Sequence, residues 1–395
     1  MDCDQASTIG QRLWQIRNAR GKSLRVIGGL AGLSASSVSR IENGLRALDS
    51  RAEIVALANA LGVAPSELTR MPEPTPGNGE GVAVTAVRRA LIAVSRDDPA
   101  GQVIPVDVLR TRVTAVVTAQ RDCDHEQVGR ELPALIRDLH TSLAVGRDVA
   151  ELLMVAVMLH VQGTHGWLSH MGASMDLGWQ AALLARQAAR EHGGSEVLGV
   201  AAFGAANGLL AAGEFDLAQA ELDSVTVPTT SREAEQLDGM LALSRSLVAA
   251  SDKRTGDVDA PLDYAAELAA RTGEGNAYGL GFGLTNVGVW RMSVSLEAHD
   301  YAHAASIAEG LRPELLRVAT RQAAYWADYG RALARLRGRR DDAVRALRTA
   351  ELISPARVQR HPFTRDALAV LLPGSRRDAV GWELRAMAYR AGLPV

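Results

Sequence analysis

The sequence predicts an all-α protein, and three features indicate this class. Aromatic residues make up only 4% of the 395 residues, whereas alanine and leucine, which favour helices over sheets, are abundant. No run of alternating β-branched residues stands out. Apolar residues instead recur at three- and four-residue spacings, as on one face of a helix. We expect an N-terminal domain of residues 1–70, a Pro/Gly-rich linker of residues 71–81 and a helical domain of residues 82–395.

Five short helices are predicted in residues 1–70. Serine or threonine stands at the N-cap position of the first three helices, and glycine follows the ends of the first four. The predicted spans are Ile9 to Arg20, Leu24 to Ala31, Ala35 to Asn43, Arg51 to Leu61 and a short fifth turn from Pro65 to Leu68.

Charge is distributed unevenly between the two parts of the chain. Residues 1–70 contain nine basic and six acidic residues, so their net charge is +3, and the remainder has a net charge of −5. A basic N-terminal domain suits a polyanionic partner. A difference of this size also arises by chance, so charge alone does not decide the function.

The second and third predicted helices are joined by only three residues, Gly32-Leu33-Ser34. The third helix must therefore cross the second steeply. Its outer face is small or polar and its N-terminus is accessible, so it can enter a DNA major groove. An ordinary α-hairpin with a solvated polar face fits this periodicity equally well.

The residues themselves distinguish these alternatives. The informative segments are Ser23-Leu24-Arg25, Ala31 to Ser34, Val38 to Gly44, Leu57 to Val63 and Glu67-Leu68. This pattern resembles the Xre family of phage-repressor-like transcription factors over nearly all of residues 9–70. The sequence departs from the family at Val26, Gly28 and Gly29, where helix formers are usual. Each glycine is expected to weaken the second helix by about 1 kcal/mol relative to alanine.

The resemblance implies a lambda-repressor-like helix-turn-helix domain that binds double-stranded DNA. The base-reading positions are Ala35, Ser36, Ser39 and Arg40. Arg40 is the best bidentate donor to guanine, and Ala35 fits against a thymine methyl group. Serines discriminate bases poorly, so DNA shape is expected to contribute to specificity.

Further roles follow from the same resemblance. Ser23 and Asn43 match phosphate-contacting positions. Charge and location add Lys22, Arg25 and Arg46 to this phosphate-binding set. Arg17 and Glu42 match an ion pair that ties the first helix to the third. A solvated surface charge is the alternative for Arg17.

From residue 82 onward the pattern is helix, short turn, helix. A small residue recurs early in the second helix of successive hairpins, 37 to 44 residues apart: Ala181, Ala218, Ala260, Ala304 and Ala343. This spacing is typical of a helical-hairpin solenoid. The unit from Gly338 to Pro355 resembles the second half of a tetratricopeptide repeat, so we expect a tetratricopeptide-like α-solenoid.

A broader resemblance covers both parts of the chain. The segments from Gly283 to Glu309 and from Ala350 to Pro362 look like the C-terminal module of actinobacterial Xre regulators. The architecture is similar to that of peptide-sensing regulators of Gram-positive bacteria. It implies a homodimer whose array binds a peptide or small-molecule effector on its concave face.

Five residues on predicted first helices of hairpins are candidates to line an effector pocket. They are Asn207, Asn286, Trp290, Arg291 and Tyr325. Amides pair with a peptide backbone, tryptophan supplies an apolar anchor and arginine meets a carboxylate. Alternatively, the aromatic residues pack in the core and the amides cross-link helices.

Other signals point away from enzymes, metals and membranes. Cys3 and Cys123 are too few for a zinc cage, and His160, His165 and His170 are spaced by five, which spreads them around an α-helix. No nucleophile-elbow, P-loop or zincin motif is present, so we expect neither a cofactor nor an enzyme. The start of the chain lacks a signal-peptide pattern, and its longest apolar run is too short to span a bilayer.

These observations predict a cytoplasmic, nucleoid-associated regulator. The alternative is an adaptor whose repeat array binds a partner protein, with DNA binding secondary.

Overall fold

The computed structural model describes Ala6 and residues 8–70, 80–373 and 375–395. These residues form helices and turns without a strand, which confirms the all-α class. The predicted linker at 71–81 lies mostly outside the described residues, and its last two residues begin a helix.

Five helices form the head, residues 9–69. They are α1 (Ile9–Ala19), α2 (Leu24–Leu30), α3 (Ala35–Glu42), α4 (Arg51–Leu61) and α5 (Pro65–Thr69). Each end lies within about one residue of its predicted position. The hydroxyls of Thr8, Ser23 and Ser34 accept hydrogen bonds from the backbone N–H three residues later, as predicted for N-caps.

Gly28 packs against the backbone of the turn that joins α2 to α3. A Cβ at this position would lie 2.7 Å from the carbonyl oxygen of Leu33, whereas one at Gly29 would meet nothing within 4 Å. Gly28 therefore permits the tight turn between α2 and α3. The close packing explains why glycine stands at position 28 despite its low helix propensity. These contacts give no such explanation for Gly29.

The next part of the chain forms six α-helices and one π-helical segment. They are α6 (Glu80–Ser95), α7 (Val106–Arg121), α8 (His125–Ala144), α9 (Val149–Met158), the π-helical Leu159–His165, α10 (Gly166–His170) and α11 (Met175–His192). Helices α6 and α7 pack on α8, and α9 packs on α11. Their apolar faces join one large core that continues to α16.

Eight helices then form a row of hairpins, here called the array. They are α12 (Ser195–Ala212), α13 (Phe215–Asp223), α14 (Arg232–Ser251), α15 (Asp259–Thr272), α16 (Leu284–Glu297), α17 (Tyr301–Gly310), α18 (Ala319–Ala334) and α19 (Arg340–Ile353). The first helices of the hairpins pack in the order α12, α14, α16, α18. The buried apolar side chains of the array belong to two clusters that meet at α16.

The recurring alanines occupy equivalent places in three of the hairpins. Ala218, Ala304 and Ala343 are each the fourth residue of the second helix and are fully buried. The prediction for Ala260 is wrong, because Ala260 is exposed near the start of α15. Leu262 occupies the fourth position there and is buried. Ala181 is buried, but it lies in α11, before the array.

Three last helices bring the end of the array back to the first half of the chain. They are α20 (Pro355–Arg360), α21 (Pro362–Leu371) and α22 (Ala379–Arg390). Helix α20 contacts α10, and α18 contacts α7. The Arg360 guanidinium donates a hydrogen bond to the carbonyl of Met171 at 3.3 Å. Residues 80–395, here called the body, thus close on themselves.

Among the described helices, α12 alone is long and apolar enough to cross a membrane by length and composition. Most of α12 is buried within the body, between α11, α13 and α14.

Candidate nucleic-acid interface

Helix α3 presents one face to the head's core and the other to solvent. Val38 and Ile41 are buried in that core. Gly32, with a φ of 68°, allows the turn that precedes the helix, and the Leu33 N–H donates to the carbonyl of Gly28 at 2.8 Å. The short connection fixes α3 across α2 and leaves its first turns accessible.

The four predicted base-reading residues share the outer face of α3. Ser36 and Arg40 are exposed, and Ala35 and Ser39 are half-buried. Among the described residues, no side chain bonds to the Arg40 guanidinium, so its donors are available. The Ser36 hydroxyl lies 2.9 Å from that of Ser34, and Ser39 accepts a long 3.4 Å bond from Asn43. Arg40 is therefore the strongest donor on this face.

The predicted phosphate-binding residues differ in how free they are. Arg25 is exposed and has no side-chain partner among the described residues. The Lys22 ammonium donates to the carbonyl of Ala60 at 2.8 Å, and Arg46 pairs with the buried Glu53. Both cations therefore contribute to the head's internal structure, which their charge alone did not indicate.

The two polar members of the phosphate-binding set act on their own helices. The Ser23 hydroxyl caps α2 by accepting from the Val26 N–H at 3.3 Å. The Asn43 amide donates to the Ser39 carbonyl at 2.7 Å and is otherwise exposed. Each keeps hydrogen-bonding capacity for a phosphate.

Arg17 and Glu42 form a two-point ion pair between α1 and the end of α3. Arg17 donates through Nε and Nη2 to the two carboxylate oxygens, at 2.6 and 2.9 Å. The Glu42 side chain is only 4% exposed, and its hydrogen bond raises the pKa of Arg17. Because bidentate pairs are geometrically specific, this pair fixes how α3 is presented.

The head is docked to the body through the N-termini of two of its helices. The Ile9 N–H at the start of α1 donates to the Asp366 carboxylate at 3.0 Å. The Arg51 N–H at the start of α4 donates to the Glu297 carboxylate at 2.8 Å, and the Arg51 guanidinium pairs with the same group. Ser50 makes no side-chain cap of its own. Carboxylates at helix N-termini satisfy free N–H groups and the helix dipole.

A buried polar cluster adds to this attachment. The Asp49 carboxylate accepts a 2.9 Å hydrogen bond from the Tyr301 hydroxyl and lies 3.2 Å from Nδ1 of His299. The other ring nitrogen of His299 lies 3.4 Å from Glu53. The two nearby carboxylates, Asp49 and Glu53, raise the pKa of His299 to about 9. His299 is therefore an imidazolium held between two carboxylates of the head.

Apolar contacts complete the docking surface. Phe363 of α21 belongs to the same apolar cluster as Ile9, Leu13 and Leu57 of the head. At the turn between α12 and α13, a Cβ on Gly213 would lie 2.4 Å from a methyl of Val55. The docked surface uses α1 and α4, so the outer face of α3 stays exposed.

No sequence motif marks the docking residues, which are Asp49, Glu53, Glu297 and His299. The two acids that flank the start of α4, Asp49 and Glu53, were a usable signal in a domain of net positive charge. Their partners lie about 250 residues away in the chain, and local patterns do not report such contacts.

The five predicted effector-pocket residues do not form one open pocket. Trp290 is 6% exposed and packs near Phe203, with ring centroids 6.5 Å apart. The Tyr325 hydroxyl is buried and donates to the carbonyl of Ala308 at 3.0 Å. Arg291 points outward to Asp263. These contacts match the alternative in which such side chains hold helices together.

The two amides of the set also bond within the body. Asn207 donates to the carbonyl of Phe203 at 2.8 Å, and Asn286 donates to that of Gly281 at 2.6 Å. Asn286 also lines a cavity of about 10 Å³ beside Arg321, which is room for roughly one water molecule.

The histidines around the π-helical segment have separate partners. His160 lies 2.8 Å from His140, and His170 stacks on His125 with ring centroids 5.2 Å apart. The segment is π-helical, so the rotation per residue of an α-helix, which predicted different faces for His160 and His165, does not apply there.

Cys123 is a partly buried free thiol, and Cys3 lies outside the described residues.

Residues 8–71 match the family model of a helix-turn-helix domain. No curated protein and no solved structure matches the chain. The fold and this match define a protein with an N-terminal helix-turn-helix domain and a long helical C-terminal region. Such a head indicates a DNA-binding regulator.

Proposed function

We propose that this protein is a sequence-specific transcriptional regulator of the Xre type, cytoplasmic and nucleoid-associated. The head binds double-stranded DNA, and the body senses a peptide or small-molecule effector. The observation that carries the proposal is the exposed face of α3 on a head docked through other helices. On that face Arg40 has no side-chain partner within the described part of the chain.

The docking supplies a route from the body to DNA. Glu297 and Asp366 hold the first turns of α4 and α1. A change in the body that moves these carboxylates moves the head as a unit, because Arg17 and Glu42 lock α3 to α1. An effector that favours one arrangement of the array thereby changes how α3 meets DNA.

We also infer a homodimer. Two heads that bind the same face of the DNA contact half-sites about 34 Å apart. A symmetric dimer of the protein places its two heads in this way. Trp382 and Tyr389, seven residues apart on α22, are 65% and 67% exposed. Exposed aromatic side chains on one helix face favour association, here with a second copy.

Replacing both with serine should convert a dimer to a monomer in analytical ultracentrifugation, and an unchanged mass would exclude this face.

The first test of the function is Arg40→Ala. Genomic DNA fragments selected by the purified full-length protein provide the probe, and fluorescence anisotropy gives the affinity. Loss of one bidentate guanine contact should weaken binding by about 1–3 kcal/mol. Arg88→Ala removes an exposed arginine on α6 and is the matched control.

Unchanged DNA affinity in Arg40→Ala would show that α3 is not the reading helix. A stable stoichiometric protein partner, recovered without any selected DNA, would favour the adaptor function instead.

A further inference from the structure

The interior of the closed body contains an unusual concentration of cations. Helix α18 contributes Arg321 and Arg331, and α20 contributes Arg357. His170 ends α10 and His361 follows α20, and these two helices are in contact. Burial lowers the pKa of both histidines, and the positive charge of Arg357 lowers it further. We call these five residues the cationic chamber.

Among the described residues, Asp328 is the one carboxylate within 4 Å of these arginines, although the charge of Arg331 also reaches Asp49 in the head. Asp328 lies 2.8 Å from Arg331 and 3.7 Å from Arg357. Arg321 has a cation–π contact with Trp290, with its guanidinium carbon 5.7 Å from the ring centroid. Burial, and then the charge of Arg357, lower the pKa of Arg321 to about 10. Buried cations without matching anions are costly unless something else neutralises them.

Several hydrogen-bond donors at the chamber have no partner among the described residues. They are the Nε atoms of Arg331 and Arg357 and the indole nitrogen of Trp290. Trp290 and Arg331 are each only 6% exposed. Arginine and indole N–H groups are donors only, so a group that completes this set must be an acceptor.

The chamber is also reachable by water. Arg321, Arg357, His170 and His361 are half-buried, and the Arg357 side chain keeps 22% of its surface. They nevertheless lie inside the closure where α20 meets α10 and α18 meets α7. Their partial exposure shows that solvent reaches these side chains although they lie between packed helices.

We propose that the cationic chamber binds a small-molecule anion, recognised through a carboxylate or phosphate group. This inference rests on the proposed function, because such an anion would be the effector. Two arginines place the chamber next to the head. The guanidinium carbons of Arg331 and Arg51 lie 4.8 and 5.8 Å from the ring centroid of Phe363, which packs into the head's core. An anion that draws Arg331 away from Phe363 alters the docking surface.

The test uses the full-length protein without DNA. Thermal unfolding is followed against increasing inorganic phosphate and, separately, citrate, with sodium chloride at equal ionic strength as reference. We expect a saturable rise in Tm with at least one anion beyond that with chloride, and the arm that responds identifies phosphate or carboxylate recognition. Arg321→Met should lower the apparent affinity at least about tenfold, whereas Arg88→Met should not.

A second readout separates a ligand site from a structural one. Without added anion, Arg321→Met removes mutual repulsion in the chamber and should raise the Tm. A lower Tm would mean that Arg321 holds the fold together, and this would overturn the proposal. Equal responses of the wild type to phosphate, citrate and chloride would overturn it too. Neither outcome depends on Arg40 or DNA, so failure here is distinct from failure of the proposed function.

Discussion

At the scale of single residues, His299 makes the docking of the head depend on pH. Its two ring nitrogens face Asp49 and Glu53, and Tyr301 and Arg335 also approach Asp49. Burial acts to raise the pKa of each carboxyl, but the adjacent His299 ring and other nearby positive charges lower both on balance. The cluster is stable because the histidine is charged.

We predict that docking weakens as pH rises through about 9. The pKa of His299 is raised to about 9 from its ordinary 6.5, so its stabilisation is complete below about 6.5 and is lost as pH passes the folded value. At pH 7.5, His299→Gln should lower the free energy of unfolding by about 1–2 kcal/mol in urea titrations. The exposed His303→Gln is the control. An equally large effect of His299→Gln at pH 10 would contradict this account.

At the scale of elements, two adjacent glycines in α2 have opposite expected effects. Both residues lower helix propensity in the same way, so the sequence does not separate them. The packing does, since Gly28 faces the backbone of Leu33 and Gly29 faces open space.

We predict that Gly29→Ala raises the stability of the head by up to about 1 kcal/mol. Gly28→Ala should lower it, because a Cβ 2.7 Å from a backbone carbonyl oxygen forces α2 and α3 apart. Thermal unfolding of both variants provides the measurement, and each serves as the other's control. Similar shifts in both would show that α2 and α3 do not pack this closely.

At the scale of the whole molecule, the body keeps a set of histidines neutral. Burial lowers the pKa of His125, His140 and His165 to about 4 and that of His170 to about 3. Their neutral rings form part of the interior that holds the closure of the body together.

We predict that the protein loses stability steeply as pH falls from about 6.5 towards 4. In this range the histidines bind protons in the unfolded chain but stay neutral in the folded protein. The free energy of unfolding therefore falls by about 1.4 kcal/mol per pH unit for each histidine. His165→Gln should reduce the slope of unfolding free energy against pH by about that amount, and the exposed His303→Gln should leave it unchanged. An unaltered slope in His165→Gln would show that His165 titrates normally.

The sequence by itself determined the helices of the head and the character of its reading face. Caps such as Ser34 and stop signals such as Gly44 act within a few residues, so a local pattern contains the physical information that places them. The recurring alanines located three hairpins for the same reason. At Ala260 this failed, because the buried fourth position of α15 is occupied by Leu262, and Ala260 lies two residues before it on the exposed side.

Only the tertiary structure decided which charged residues are free. Lys22 and Arg46 were indistinguishable from Arg25 by charge, and it is the contacts with Ala60 and Glu53 that occupy them. The docking of Asp49 against His299, and the chamber around Arg321, join segments far apart in the chain. Such contacts depend on how the body closes on itself. That closure results from many weak packing interactions between distant segments, so no short segment of the sequence reveals it.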